Sequence, residues 1–254
     1  MKKTTSDPRS NDLIAALWDT EEHSWLPQLE AIDMPLGEVL FDSGDTLKYV
    51  YFPTTAVISL MYVLESGATA ETAVVGHEGV VGISLFMGGE SALNSAEVRI
   101  AGNGYRLKAD TLMEEFQRCG AVQHLLLRYT QALLAQMSQT AVCNRHHTVD
   151  QQLCRFLLQS LDRLQGNEIA MTQELIANSL GVRREGVTAA ATGLQKAGLI
   201  RYARGQISVL DREGLEERSC ECYAVVRDKY EEVLSGTVDD AVCPLKADAP
   251  AAQR

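Results

Sequence analysis

No stretch of the 254-residue chain approaches the roughly 20 uninterrupted apolar residues of a membrane span, so a helical membrane protein is not expected. The opening residues, MKKTTSDPRSND, are basic but no apolar core follows them, which predicts no signal peptide and a cytoplasmic location. Basic residues are in deficit: 23 Lys and Arg against 34 Asp and Glu give a net charge of −11, a poor footprint for an evenly basic nucleic-acid binder. The 6 cysteines (119, 143, 154, 220, 222, 243) fall in segments that read as helix or tail, so reduced thiols are expected rather than a disulfide framework. Histidine is as scarce. His77 is the one histidine between residues 35 and 115, too few ligands for a cupin-type metal oxygenase. HExxH, the P-loop, the nucleophile elbow and the dinucleotide fingerprint are all missing, and the glycines at 76, 79 and 82 read as turn residues. Neither an enzyme nor a cofactor is expected.

What is present divides by texture into an α+β chain. Residues 1–34 read as a tail and a helical lead-in, with Leu13, Ile14, Leu17, Trp25, Leu26 and Leu29 at helical spacing. Residues 35–118 turn to short β-rich runs (VLF, YVYF, VISLMYV, TAVV, VVGISLF, AEVRI, YRL) broken by turn sequences, the pattern of a jelly-roll-like β-roll. From 119 to 147 the period becomes helical. Leu126, Thr130, Leu133, Met137, Thr140 and Asn144 recur every four and three residues, a coiled-coil-like seam that predicts a dimerisation helix and hence a homodimer. Cys143 and His147, one helical turn apart there, could set a thiolate and an imidazole on one face. Two ligands from one segment do not complete a zinc site, so hinge packing and no metal are expected, and Cys220-Glu-Cys222 reads as weaker still.

Residues 148–225 open with a capping box, Thr148-Val-Asp-Gln151. Two short helices then follow, joined across Gly181 and closed by Gly198, with a hairpin turning at Arg204-Gly205: a winged helix-turn-helix. Leu175, Ile176 and Leu180 are expected to pack on Val187, Leu194 and Leu199. Arg183, Arg184, Glu185 and Thr188 then face outward near the second helix's start, where side chains read base edges in the major groove of double-stranded DNA. Thr172 and Gln173 at the first helix's start, with Arg201 and Arg204 on the wing, are placed for phosphates. The charge supports this division, because residues 143–210 carry eight Lys and Arg against five Asp and Glu while the rest of the chain nets −14. Residues 237–254 read as a disordered tail.

In LGVRREGVTAAATGLQKAGLIRYARGQISV, where Gly181, Arg184, Glu185, Val187, Leu194, Gly198, Leu199 and Ile200 fall on the pattern, the chain resembles the Crp/Fnr family of bacterial transcription regulators. The resemblance implies a cyclic-nucleotide-binding-type roll, with DSGD (42–45) at a family turn and GHEGVVGISLF (76–86) entering the nucleotide cassette. It also implies RNA polymerase as a partner if the protein is an activator, and room for a small-molecule effector. Gly82, Ile83, Asn94 and Ser95 are then the effector-pocket positions. Ile83 stands where the ribose-binding glutamate belongs and Asn94-Ser95 where the arginine-serine pair would fall, so cyclic AMP is not the expected effector. Arg99 is the nearest substitute cation. No cysteine precedes Cys119, which leaves no N-terminal iron-sulfur cluster of the oxygen-sensing branch. Ala189 replaces a second base-reading arginine and Arg183 a serine cap. The alternative is a ligand-binding regulatory subunit that acts through protein contacts.

Overall fold

The structure is a computed structural model that describes residues 7–18, 24–89 and 91–235. Helix α1 (Asp12–Trp18) precedes seven antiparallel strands: β1 (Glu30–Met34), β2 (Val39–Phe41), β3 (Tyr49–Pro53), β4 (Val57–Val63), β5 (Thr69–Val75), β6 (Ser95–Ile100) and β7 (Gly102–Lys108). They pair as one sheet in the order β1-β7-β3 and another in the order β2-β6-β4-β5. The two inner faces close on Trp25, Phe52, Ile58 and Leu107, each at most 1% exposed. Alternation in β3 sends Val50 and Phe52 inward and leaves Tyr49 and Tyr51 half-buried.

Two strand expectations change. The lead-in is α-helical over Asp12–Trp18, makes a 3-10 turn over Leu26–Gln28 and ends in β1, whose pattern is too polar to read as a strand by itself; residues 1–6 and 19–23 lie outside the described residues. VVGISLF is a turn with a short 3-10 helix over Ile83–Leu85, touching β3 through one Tyr51–Val81 bridge.

Helices α2 (Ala109–Gln117) and α3 (Ala121–His146) follow, the latter 26 residues without Gly or Pro. The seam expected to face a partner turns inward instead. Leu126 and Leu133 are at most 1% exposed in the roll's own core, Thr130 and Thr140 are buried, Met137 packs against the same core, and Asn144 is exposed. The stripe left open lies one residue further on: Leu127, Gln131, Leu134, Ser138, Ala141 and Arg145, with Val142 beside it.

Beyond the hinge, α4 (Val149–Leu161) begins in the capping box: Gln151 N–H donates to Thr148 Oγ1 at 3.3 Å and Thr148 N–H to Gln151 Oε1 at 3.1 Å. Then come β8 (Glu168–Ala170), α5 (Gln173–Leu180), α6 (Arg184–Lys196), β9 (Ile200–Ala203), β10 (Gln206–Val209), α7 (Arg212–Arg218) and α8 (Cys222–Ser235). The wing gains a third strand, since β8 pairs with β10 to give the order β8-β10-β9. Helix α8 runs past the expected limit at 225: Tyr223 joins the core of the C-terminal domain, whereas Val226, Tyr230 and Val233 join the core of the roll. The expected tail, 237–254, lies outside the described residues.

Roll and C-terminal domain are tied by buried polar contacts. Arg163, just after α4, donates from Nε to Glu78 Oε1 at 2.7 Å, and Arg99 on β6 donates to both Glu71 carboxylate oxygens at 3.0 Å and to Ser160 Oγ at 2.8 Å. A Cβ at Gly76 would lie 2.7 Å from Arg163 Cγ and one at Gly79 2.4 Å from the Tyr129 hydroxyl, so this loop is glycine-rich because it is pressed against the second domain and the long helix.

Candidate nucleic-acid interface

Helix α5 starts at Thr172, whose hydroxyl accepts from Leu175 N–H at 3.3 Å, a side-chain cap for one of the orphan amides. It stops at Gly181, whose φ of +65° is the left-handed conformation that lets the chain re-enter a helix three residues later. Ile176 and Leu180 pack with Val187, Leu194 and Leu199 in the domain core. Leu175, expected among them, is 41% exposed and instead lines a cleft against the outer face of the roll, near Leu36, Val39 and Met61.

Helix α6 is preceded by Arg183, which gives no side-chain cap, so the amides of Arg184 and Glu185 at the helix's positive end are open to an anion, while Gly186 N–H donates to Arg183 O at 3.0 Å. Arg183, Arg184, Glu185, Thr188 and Ala189 are all exposed there. The wing turns at Arg204 and Gly205, with φ of +51° and +79°, the pair of positive φ values a two-residue hairpin of this twist requires. Arg201 and Arg204 are exposed on it.

The start of α5 joins the other two parts. Gln173 Oε1 accepts from the Thr188 hydroxyl at 2.7 Å, and Met171 N–H donates to Gly205 O at 2.8 Å, holding the wing tip beside Thr172. At the other end of α6, Gln195 Oε1 accepts from Tyr202 N–H on β9 at 3.0 Å. The Thr188 hydroxyl is therefore engaged within the protein, also reaching Arg184 O at 3.0 Å, and it orients Gln173 so that the amide nitrogen is left to donate outward. Of the eight cations counted between 143 and 210, Arg155 and Arg163 are buried. Arg145, Arg183, Arg184, Lys196, Arg201 and Arg204 are exposed, and none of these six forms an ion pair among the described residues.

The expected effector pocket is divided. Gly82, Ile83 and Asn94 line a small cavity of about 90 Å³ inside the roll, with Phe41, Leu133 and Met137, and no Lys or Arg among its lining residues. Ser95 and Arg99 lie on the opposite face of the sheet, toward α5. Arg99 is 8% exposed, and its guanidinium is committed to Glu71 and Ser160 and stacks 4.5 Å from the centre of the Phe156 ring, so it supplies no cation to that cavity. Burial pushes its pKa down while Glu71 holds it up.

Cys143 and His147 do come together, and Cys220 and Cys222 join them from the start of α8. That convergence was missed in the sequence, because a separation of more than 70 residues carries no spacing signal.

A roll joined by a long helix to a three-stranded winged helix-turn-helix defines the class. Residues 151–218 match the Crp-like helix-turn-helix domain. The structure is similar to FixK2 from Bradyrhizobium japonicum, with a TM-score of 0.67 and 21% identity over 76% of this chain and 98% of that one. It is also similar to a protein described as a Crp/Fnr-family transcriptional regulator from Eubacterium rectale, at 0.63 and 18% over 80% and 96% of the two chains. A third similarity is to a CRP-family transcriptional regulator from Thermus thermophilus, at 0.61 and 17% over 74% and 96%. No curated protein matches the chain in sequence. The fold is that of the Crp/Fnr regulators, and the C-terminal domain is a Crp-like helix-turn-helix.

Proposed function

We propose that the chain is a sequence-specific, non-enzymatic transcription regulator that binds double-stranded DNA as a homodimer. The observation that carries this reading is the run of exposed, unpaired arginines on the start of α6 and on the wing of a chain whose overall charge is −11. Arg184 has the reach for the O6 and N7 of a guanine and Glu185 for a cytosine amine, while Arg201, Arg204, Gln173 and the Thr172 cap region take phosphates. The dimer forms along the open stripe of α3, where Leu127, Leu134 and Val142 are 48%, 46% and 48% exposed. As an activator it would also meet RNA polymerase. Any small-molecule effector is something other than a cyclic nucleotide, since the cavity at Gly82, Ile83 and Asn94 offers no cation.

The test compares two variants on a selected operator and on random duplex across a salt series. Arg184→Ala is expected to lose about 1–3 kcal/mol of discrimination at one base pair. Arg204→Ala is expected to weaken both DNAs alike and to lower the salt slope by about 1. Equal loss of specificity in both variants would overturn these roles.

A further inference from the structure

Three thiols and an imidazole from the two ends of the C-terminal domain meet at the hinge. Cys143 lies in the last turn of α3 and His147 just beyond it; Cys220 precedes α8 and Cys222 is its first residue. Cys143, Cys220 and Cys222 are at most 5% exposed, and the His147 side chain is 15% exposed. Cys143 Sγ is 3.5 Å from Cys220 Sγ, Cys222 Sγ is 3.4 Å from His147 Nδ1, and the four ligand atoms all lie within 4.8 Å of one another.

The two contact distances are close to the edges of a metal cage, and the other separations lie within 4.8 Å. A tetrahedral zinc with bonds of about 2.3 Å to sulfur and 2.0 Å to nitrogen sets edges of about 3.7 Å between sulfurs and about 3.5 Å between sulfur and nitrogen. The surroundings suit the metal as well. His147 Nε2 is 3.4 Å from the Glu221 carboxylate, a partner that fixes the ring with Nδ1 toward the thiols. Gln139 Nε2 donates to Cys222 Sγ at 3.3 Å, as a thiolate acceptor requires. With four protein ligands and no position left for water, the site is structural rather than catalytic, and three sulfurs with one imidazole select zinc over hard cations.

We propose that Cys143, His147, Cys220 and Cys222 hold one zinc ion in a closed cage that fastens the start of α8 to the hinge end of α3. Because α8 carries Val226, Tyr230 and Val233 into the roll, the ion pins the C-terminal domain to the helix that leaves the roll.

The test uses the full chain, purified under reducing conditions. Elemental analysis is expected to find one zinc per chain, and cobalt added after removal of that zinc is expected to give tetrahedral d–d bands with a thiolate charge-transfer band. Cys222→Ser and His147→Ala should each bind metal at least tenfold more weakly, and Glu221→Gln about tenfold more weakly. Cys119→Ser, outside the cluster, should bind as the parent does. If the ligand variants fail to fold, the cobalt spectrum of the unaltered chain still decides. A reduced, folded chain that carries no zinc and gives no tetrahedral cobalt spectrum overturns the proposal, as does a metal-free native protein with Cys143 and Cys220 joined in a disulfide.

Discussion

His77 meets an acceptor at each ring nitrogen: Nδ1 is 3.0 Å from Asp12 Oδ2 and Nε2 is 3.1 Å from the Asp162 carbonyl oxygen. Only the protonated ring donates to both. The hydrogen bond to Asp12, helped by the charge of Glu78 and opposed by burial, raises the pKa to about 9 from an ordinary 6.5. A group whose folded pKa is raised stabilises fully below its unfolded value and loses that contribution as pH rises through the folded one. The urea midpoint should therefore fall between about pH 6.5 and pH 9 in the wild type, and His77→Gln should remove that part of the slope. An unchanged slope in the variant would contradict the assignment. Arg99 marks the limit of residue-level reading. Strand alternation offers inward or outward, whereas this side chain points out of the roll and is still buried, under a domain whose contact, Ser160, lies 61 residues away.

At the scale of elements, legibility followed the range of the interaction. The two helices of the helix-turn-helix and the wing were legible because Gly181, Gly198 and Arg204-Gly205 set their ends locally. The register of α3 was not. Stripes starting at Leu126 and Leu127 both repeat every four and three residues, and the more apolar one faces the protein's own roll, a tertiary choice that periodicity does not encode. Exchange of neighbours separates the faces. Leu134→Glu should leave the fold intact and convert a dimer to monomers by sedimentation, whereas Leu133→Ala should cost about 2–5 kcal/mol of folding stability as a buried large-to-small change. A dimer that survives Leu134→Glu undiminished would remove α3 from the interface.

Over the whole molecule, the roll and the C-terminal domain share the buried ion pair Glu78–Arg163 and the buried Arg99–Ser160 hydrogen bond, and α8 contributes to both cores. The order of parts was legible from changes of periodicity, but none of these long-range ties was. The cavity at Gly82, Ile83 and Asn94, about 90 Å³, is below the roughly 300 Å³ at which small-molecule sites begin. A cyclic phosphate there would lose its hydration without a charged partner. Calorimetry with cyclic AMP or cyclic GMP at sub-millimolar concentration should give no binding heat, and neither nucleotide should alter DNA affinity; a micromolar dissociation constant would refute this.

The central claim, a dimer that reads DNA through α6, is tested most directly by selecting sequences bound by the purified chain from a pool of random duplexes. The structure leads us to expect a pseudo-palindrome whose half-site centres lie about 34–36 Å apart, one turn of the duplex. A pool that emerges without enrichment, or enriched for a single isolated half-site, would contradict it.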